Sequence, residues 1–212
     1  MGTPVYSLSL DEFRSYTKEG NLIPLYREIL ADHDTPVSAF AKIDHGPSAY
    51  LLESVQGGEK WARYSFLGSG APIVLVEDRG DLCIKKGTRS RRIPSQGAPL
   101  ERLREFMEGY RPVTVPGLPR FVGGAVGYLG YDMVKTFEDL PSRRKDHLGL
   151  PDFAFLLTET LLIFDNVSQK IKVVANAHVK STSDRDIRAA YRLATGTIER
   201  MIAPLRRPFR QA

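Results

Sequence analysis

Near the start of the chain, polar and apolar positions fall at helical spacing. In Ser9-Leu10-Asp11-Glu12-Phe13, Ser9 can cap a helix and Glu12 stands three residues later, which predicts a capping box. Leu22, Leu25, Tyr26 and Ile29 follow Asn21 at the spacing of one helix face and predict a second helix. Pro24 fits the first turn of such a helix, where an N–H has no carbonyl partner. Asp34-Thr35-Pro36 predicts its end. From residue 49 the period shortens. Stretches 49–54, 62–67, 73–77 and 82–85 are apolar or alternating, and Gly57-Gly58, residues 68–72 and Arg79-Gly80-Asp81 punctuate them. This spacing predicts strands in an antiparallel meander.

Leu100, Leu103, Phe106 and Met107 predict a third helix, closed by Gly109. Residues 111–119 are rich in proline and read as a connection between layers. Residues 153–165 are almost continuously apolar around Thr158, Glu159 and Thr160, and 170–180 alternates as a half-buried strand should. Asp165-Asn166 starts a turn, so these two strands predict a hairpin. The last element is helical. Ser183 caps it, Ile187, Ala190, Tyr191, Ala194, Ile198 and Met201 form one face, and Pro204 ends it. The pattern as a whole predicts an α+β fold, with antiparallel β-sheets packed face to face and helices outside.

An apolar share of 42 % over 212 residues is enough for a sizeable core and too high for disorder. The net charge of +5, from 30 basic and 25 acidic residues, is a mild bias. Arg89, Arg91 and Arg92, and likewise Arg143, Arg144 and Lys145, have no interleaved aromatics. Both runs read as solvated surface, and no nucleic-acid partner is expected. Cys83 is the one cysteine, so no disulfide forms within the chain, and its apolar neighbours Leu82 and Ile84 mark it as core. The sequence shows no basic segment leading into an apolar stretch and no run near the ~18 apolar residues of a membrane span. No membrane partner is expected, and the cytoplasm is the expected location.

Little chemistry is legible from spacing alone. The glycine-rich Gly123-Gly124-Ala125-Val126-Gly127-Tyr128-Leu129-Gly130-Tyr131 lacks the Gly-Lys-Ser/Thr ending of a phosphate loop and the glycine spacing of a dinucleotide site. It reads better as a strand whose glycines let a backbone or a ring approach closely. His33, His45, His147 and His178 have no partner at metal-ligand spacing, and no Gly-x-Ser-x-Gly elbow occurs. In Leu51-Leu52-Glu53-Ser54 an apolar strand ends in a carboxylate and a hydroxyl. These could hold the ammonium and carboxylate of an amino acid, or mark a strand edge with a turn-forming serine.

Leu51-Leu52-Glu53-Ser54, followed by Trp61-Ala62-Arg63-Tyr64-Ser65-Phe66-Leu67-Gly68, resembles the N-terminal region of the anthranilate synthase component I family of chorismate-utilising enzymes. Phe121-Val122-Gly123-Gly124-Ala125-Val126-Gly127-Tyr128-Leu129-Gly130-Tyr131-Asp132 is similar to that family's second hallmark. Glu138, Leu140, Pro141, Pro151-Asp152-Phe153 and Glu159-Thr160 continue the match. The resemblance implies that residues 1–212 are the N-terminal domain of a layered α/β/β/α sandwich. It implies an enzyme that turns chorismate into anthranilate and pyruvate with glutamine-derived ammonia and magnesium (Mg2+).

The catalytic residues and the magnesium ligands are then expected in a C-terminal chorismate-binding part, with none in this chain, which alone should be inactive. A glutamine amidotransferase subunit, component II, is the implied partner. The resemblance also implies part of a feedback site for L-tryptophan. Ser54 carries over as an inhibitor contact, with Glu53 and Leu52 beside it. Pro24 matches a position linked to feedback sensitivity, and Arg63 falls near a basic residue of the pocket. The sister enzyme, aminodeoxychorismate synthase component I, and a free-standing non-catalytic binding module are the other readings. A chain separated from its C-terminal part is expected to expose an apolar face and to associate.

Overall fold

The computed structural model describes residues 5–32, 34–44, 46–53, 63–140 and 149–207. The chain divides into two compact units. One is built from Met1–Ala71, Tyr110–Gly123 and Glu159–Ala212, the other from Pro72–Gly109 and Gly124–Thr158.

In the first unit, α1 (Leu10–Tyr16) starts at the expected capping box: Ser9 Oγ accepts from the Glu12 N–H, and the Glu12 carboxylate accepts from the Ser9 N–H at 2.7 Å. The expected second helix is instead a strand, β1 (Leu22–Leu30). It pairs antiparallel with β10 (Lys170–His178), Leu22 opposite His178 and Leu30 opposite Lys170. Tertiary pairing overrides the helical spacing. Pro24 is tolerated because β1 is an edge strand, where a missing N–H need not break a ladder. Thr35-Pro36 begins a helix rather than ending one. Thr35 and Ser38 form the capping box of α2 (Pro36–Ile43), with Pro36 in the first turn.

Next come β2 (Tyr50–Leu52), β3 (Tyr64–Gly68) and β9 (Thr160–Asp165). The sheet order is β1-β10-β9-β3-β2, antiparallel throughout. Alternation sends Ile23, Leu25, Leu67, Leu162, Phe164, Ile171, Val173 and Ala175 to one face. Against them packs α4 (Asp184–Leu205), capped by Ser183 through Ser183 Oγ and the Asp186 N–H. Its buried Ile187, Ala190, Ala194, Ile198, Ile202 and Leu205 recur every three or four residues. Each large side chain buried there stabilises by about 1.5–3 kcal/mol. Phe13 of α1 is wholly buried and meets Tyr191 edge to face at 5.4 Å. The opposite face holds Leu161, Ile163 and Val174, also wholly buried, flanked by Tyr26, Tyr64, Phe66, Leu118 and Phe121.

In the second unit, β4 (Ile73–Asp78), β5 (Asp81–Lys86) and β6 (Arg89–Ile93) are joined by tight turns. Arg79 and Gly80 both have positive φ, 55° and 82°, as a two-residue hairpin turn requires. With β7 (Gly124–Leu129) and β8 (Phe153–Thr158) they form a second antiparallel sheet, ordered β6-β5-β4-β8-β7. Leu75, Leu82 and Phe153 are wholly buried, and Cys83 is buried as expected. The third helix, α3 (Pro99–Glu108), packs against β5 and ends at Gly109. A 3₁₀ helix spans Tyr131–Thr136.

Two expectations are corrected here. There is no single meander, since β3 and β4 belong to different sheets. The other is the end of the chain's second expected helix, where Thr35-Pro36 opens α2 instead. The arginine run at residues 89–92 is exposed, as expected, and forms the strand β6. The apolar run 153–165 also divides between the two sheets, with Glu159 the single residue between β8 and β9. The α+β class with antiparallel sheets and helices stands.

Candidate functional site

The site residues expected from sequence belong to the first unit's sheet. Leu52 ends β2 opposite Phe66 of β3. Its side chain lies on the face of Ile163 and Val174, and it is 45 % exposed. Glu53 follows it and is exposed. Ser54 lies outside the described residues, as do Trp61, Ala62, Pro141, His33, His45 and His147.

Arg63 precedes β3, three residues before Phe66, which places it about 10 Å along the strand from the Leu52 row. Its guanidinium is held by Asp165, the last residue of β9. Nε donates to Oδ1 at 3.1 Å and Nη2 to Oδ2 at 2.7 Å. The Asp165 side chain is 4 % exposed and also accepts from the N–H groups of Val167 and Ser168 in the β9–β10 turn. The Arg63 hydrogen bonds are the first cause holding the Asp165 carboxyl down at about 2; burial opposes them and the turn N–H groups add to them. The same pairing raises the Arg63 guanidinium. Two more bonds fasten the turn to β3: Asn166 N–H donates to the Arg63 carbonyl at 2.8 Å, and Asn166 Nδ2 to Ser65 Oγ at 3.3 Å. Arg63 also stacks over the Tyr64 ring at 5.0 Å.

Pro24 is buried on β1, opposite Asn176. It shares a sheet face with Leu52 but sits on the other edge strand, four inter-strand spacings or about 19 Å across the sheet, and four residues further along it. The structure therefore brings Leu52, Glu53 and Arg63 to one end of the β2–β3 pair and leaves Pro24 apart. Around Pro24 the segment Tyr110–Gly123 runs along β1. Val113 N–H donates to the Leu22 carbonyl, Tyr26 Oη to the Pro116 carbonyl, and Asn176 Nδ2 to the Val122 carbonyl at 2.7 Å.

Sequence spacing missed the aromatic group beside Leu52. Phe66 meets Phe121 edge to face at 5.0 Å and lies 6.3 Å from Tyr64. Alternation in Tyr64-Ser65-Phe66 was the available signal for the Tyr64–Phe66 pair. Nothing local could reveal the role of Asp165, 102 residues from Arg63.

The glycine-rich strand is what close approach demands. A Cβ on Gly127 would stand 1.9 Å from the Ala154 carbonyl oxygen of β8, and one on Gly130 would stand 2.9 Å from that of Asp152. The neighbouring rings do not fill this space: Tyr128 is 44 % exposed and Tyr131 is 91 % exposed. Among the described residues no three His, Cys, Asp or Glu side chains group as a metal site would need. No helix among them is long and apolar enough to cross a membrane.

Two antiparallel five-stranded sheets, each with helix packed on it, define an α+β chain. A scan against protein-family models finds no match. Curated relatives are informative. The chain is 39 % identical to anthranilate synthase component 1 of Pseudomonas aeruginosa over 205 residues, 95 % of this chain and 40 % of that protein. It is 39 % identical to the Acetivibrio thermocellus protein of the same name over 177 residues, 84 % of this chain and 36 % of that one. Among solved structures, anthranilate synthase component I from Streptococcus pneumoniae matches with a TM-score of 0.54 and 25 % identity, over 85 % of this chain and 37 % of that one. Over most of its length this chain is a homologue of anthranilate synthase component I, and it spans about two fifths of the length of the curated relatives it matches.

Proposed function

We propose that this chain is the N-terminal regulatory and scaffolding part of anthranilate synthase component I, in an enzyme that makes anthranilate and pyruvate from chorismate and ammonia or glutamine. The observation that carries this is the 39 % identity across 95 % of the chain with a protein of that name. A C-terminal part would hold chorismate and magnesium and do the chemistry. Component II would deliver ammonia, and the cytoplasm would be the setting.

The chain's own task is half of a feedback site for L-tryptophan. An amino acid needs an apolar slot for its side chain and a few convergent polar groups for its zwitterion. Glu53 accepts from the ammonium, Ser54 donates to the carboxylate, and the exposed Leu52 beside Phe66 offers apolar surface. Arg63 is committed to Asp165, so its role is to position the start of β3 rather than to take the ligand's carboxylate. Pro24, on the other edge, influences the site through β1. Inhibition follows if tryptophan binds one arrangement of the enzyme better than another.

Two measurements test this. Incubated with chorismate, magnesium and ammonium, the 212-residue chain gives no anthranilate fluorescence; its appearance refutes the non-catalytic assignment. In the full-length enzyme, Ser54→Ala raises the tryptophan needed for half inhibition by about tenfold or more, as expected for a lost hydrogen bond to a charged group. Unchanged inhibition removes Ser54 from the site.

A further inference from the structure

The β5–β6 hairpin carries Lys85, Lys86, Arg89, Arg91 and Arg92 with no acidic residue among them. The register places Lys86 directly opposite Arg89, and like charges in that position destabilise a strand pair. Asp78 and Asp81 neutralise Arg92. Among the described residues no ion pair joins Lys85, Lys86, Arg89 or Arg91. The arginines of α3 differ: Arg102 pairs with Glu105 and Arg104 with Glu101.

β6 is also the edge of its sheet, and Arg89, Ser90, Arg91 and Arg92 are all exposed. An edge strand turns the N–H and C=O of every second residue outward, ready to pair with another strand. A second copy of this hairpin would bring the same charges and be repelled. An acidic strand would be attracted. Arg89 and Arg91 lie on one face of β6, two residues apart, so they meet carboxylates at alternate positions of an incoming strand.

We propose that the β6 edge binds an extended acidic segment of a partner protein by strand addition. Main-chain bonds supply pairing, and alternate Asp or Glu side chains neutralise Lys86, Arg89 and Arg91. A nucleic acid fits less well. No aromatic side chain occurs between Lys85 and Arg92 to stack a base, and phosphates, which only accept, leave the strand's outward carbonyls without a donor.

The probe is a blocked heptapeptide of alternating valine and glutamate, titrated into the isotopically labelled full chain. Saturable amide shifts are expected, centred on residues 88–93. Arg89→Glu with Arg91→Glu weakens binding by about tenfold or more, since truncating or reversing close charge pairs has large effects. Should that variant fail to fold, the salt dependence of the unaltered chain replaces it: affinity falls as salt rises. No binding, shifts centred elsewhere, or affinity insensitive to salt overturns the proposal. Equal binding of the same peptide N-methylated at alternate bonds overturns strand addition. Tighter binding of an oligothymidylate of equal charge overturns the choice of partner.

Discussion

The two units use one material differently. In the first, Leu161, Leu162, Ile163 and Phe164 are all buried, because β9 is central and both faces of its sheet are covered. In the second, β6 lies almost wholly in solvent, and residues 128–150 include the exposed Tyr128, Leu129, Tyr131, Phe137, Leu140 and Leu150. Exposed apolar residues of the first unit, such as Val5, Val37 and Leu193, are scattered along the sequence. Where both faces are covered, a strand reads as a continuous apolar run and each side chain contributes to stability. Where they are not, the strand's residues are available for something other than stability.

That contrast can be broken most strongly at its centre. Ile163→Ala removes a fully buried side chain and should cost about 2–5 kcal/mol, whereas Val126→Ala on β7 should cost under about 1 kcal/mol. Urea unfolding followed by hydrogen exchange resolves the two; equal losses would erase the distinction. Gly127→Val tests the second unit where it is tightest. Its Cβ meets the β8 backbone, so the variant should lose about 1–3 kcal/mol. Amide protection should fall in β7 and β8 and persist in β9 and β10.

A smaller effect is set by pH. Asp165 titrates at about 2 in the folded chain, below the ~3.9 of an unfolded aspartate. Its contribution is therefore complete above the unfolded value and is lost as pH falls from about 4 to about 2. Asp165→Asn should flatten that part of the acid unfolding profile, and an unchanged profile would remove the Arg63 clamp from the stability account. The smallest change is expected from Tyr131→Ser with Phe137→Ser. Both side chains are largely exposed, so stability should move by no more than about 0.5 kcal/mol for each while association measured by light scattering declines.

The elements that could be read in advance are those fixed by neighbours in sequence. The capping box at Ser9 and Glu12, the Ser183 cap and the β9–β10 hairpin are local statements, and the structure repeats them. β1 could not be read so, because Leu22, Leu25, Tyr26 and Ile29 suit a helix face and only pairing with β10 makes them a strand. The break at Glu159 was hidden by apolar residues on both sides of it. In the candidate site, the end of the Leu51-Leu52 strand was legible. Arg63 was singled out, but its engagement with Asp165 was not, since that partner arrives through tertiary pairing of β3 with β9.

The pairing of β1 with β10 also sets a timetable. Leu30 lies opposite Lys170, so a strand made early must wait for roughly 140 residues of synthesis, on the order of ten seconds at ordinary ribosome speeds. The β4–β5–β6 hairpins close locally and need no such delay. During that interval Ile23 and Leu25 have no sheet to join, and the nascent chain is at its most vulnerable to chaperone capture or to mispairing with a neighbouring polysome product.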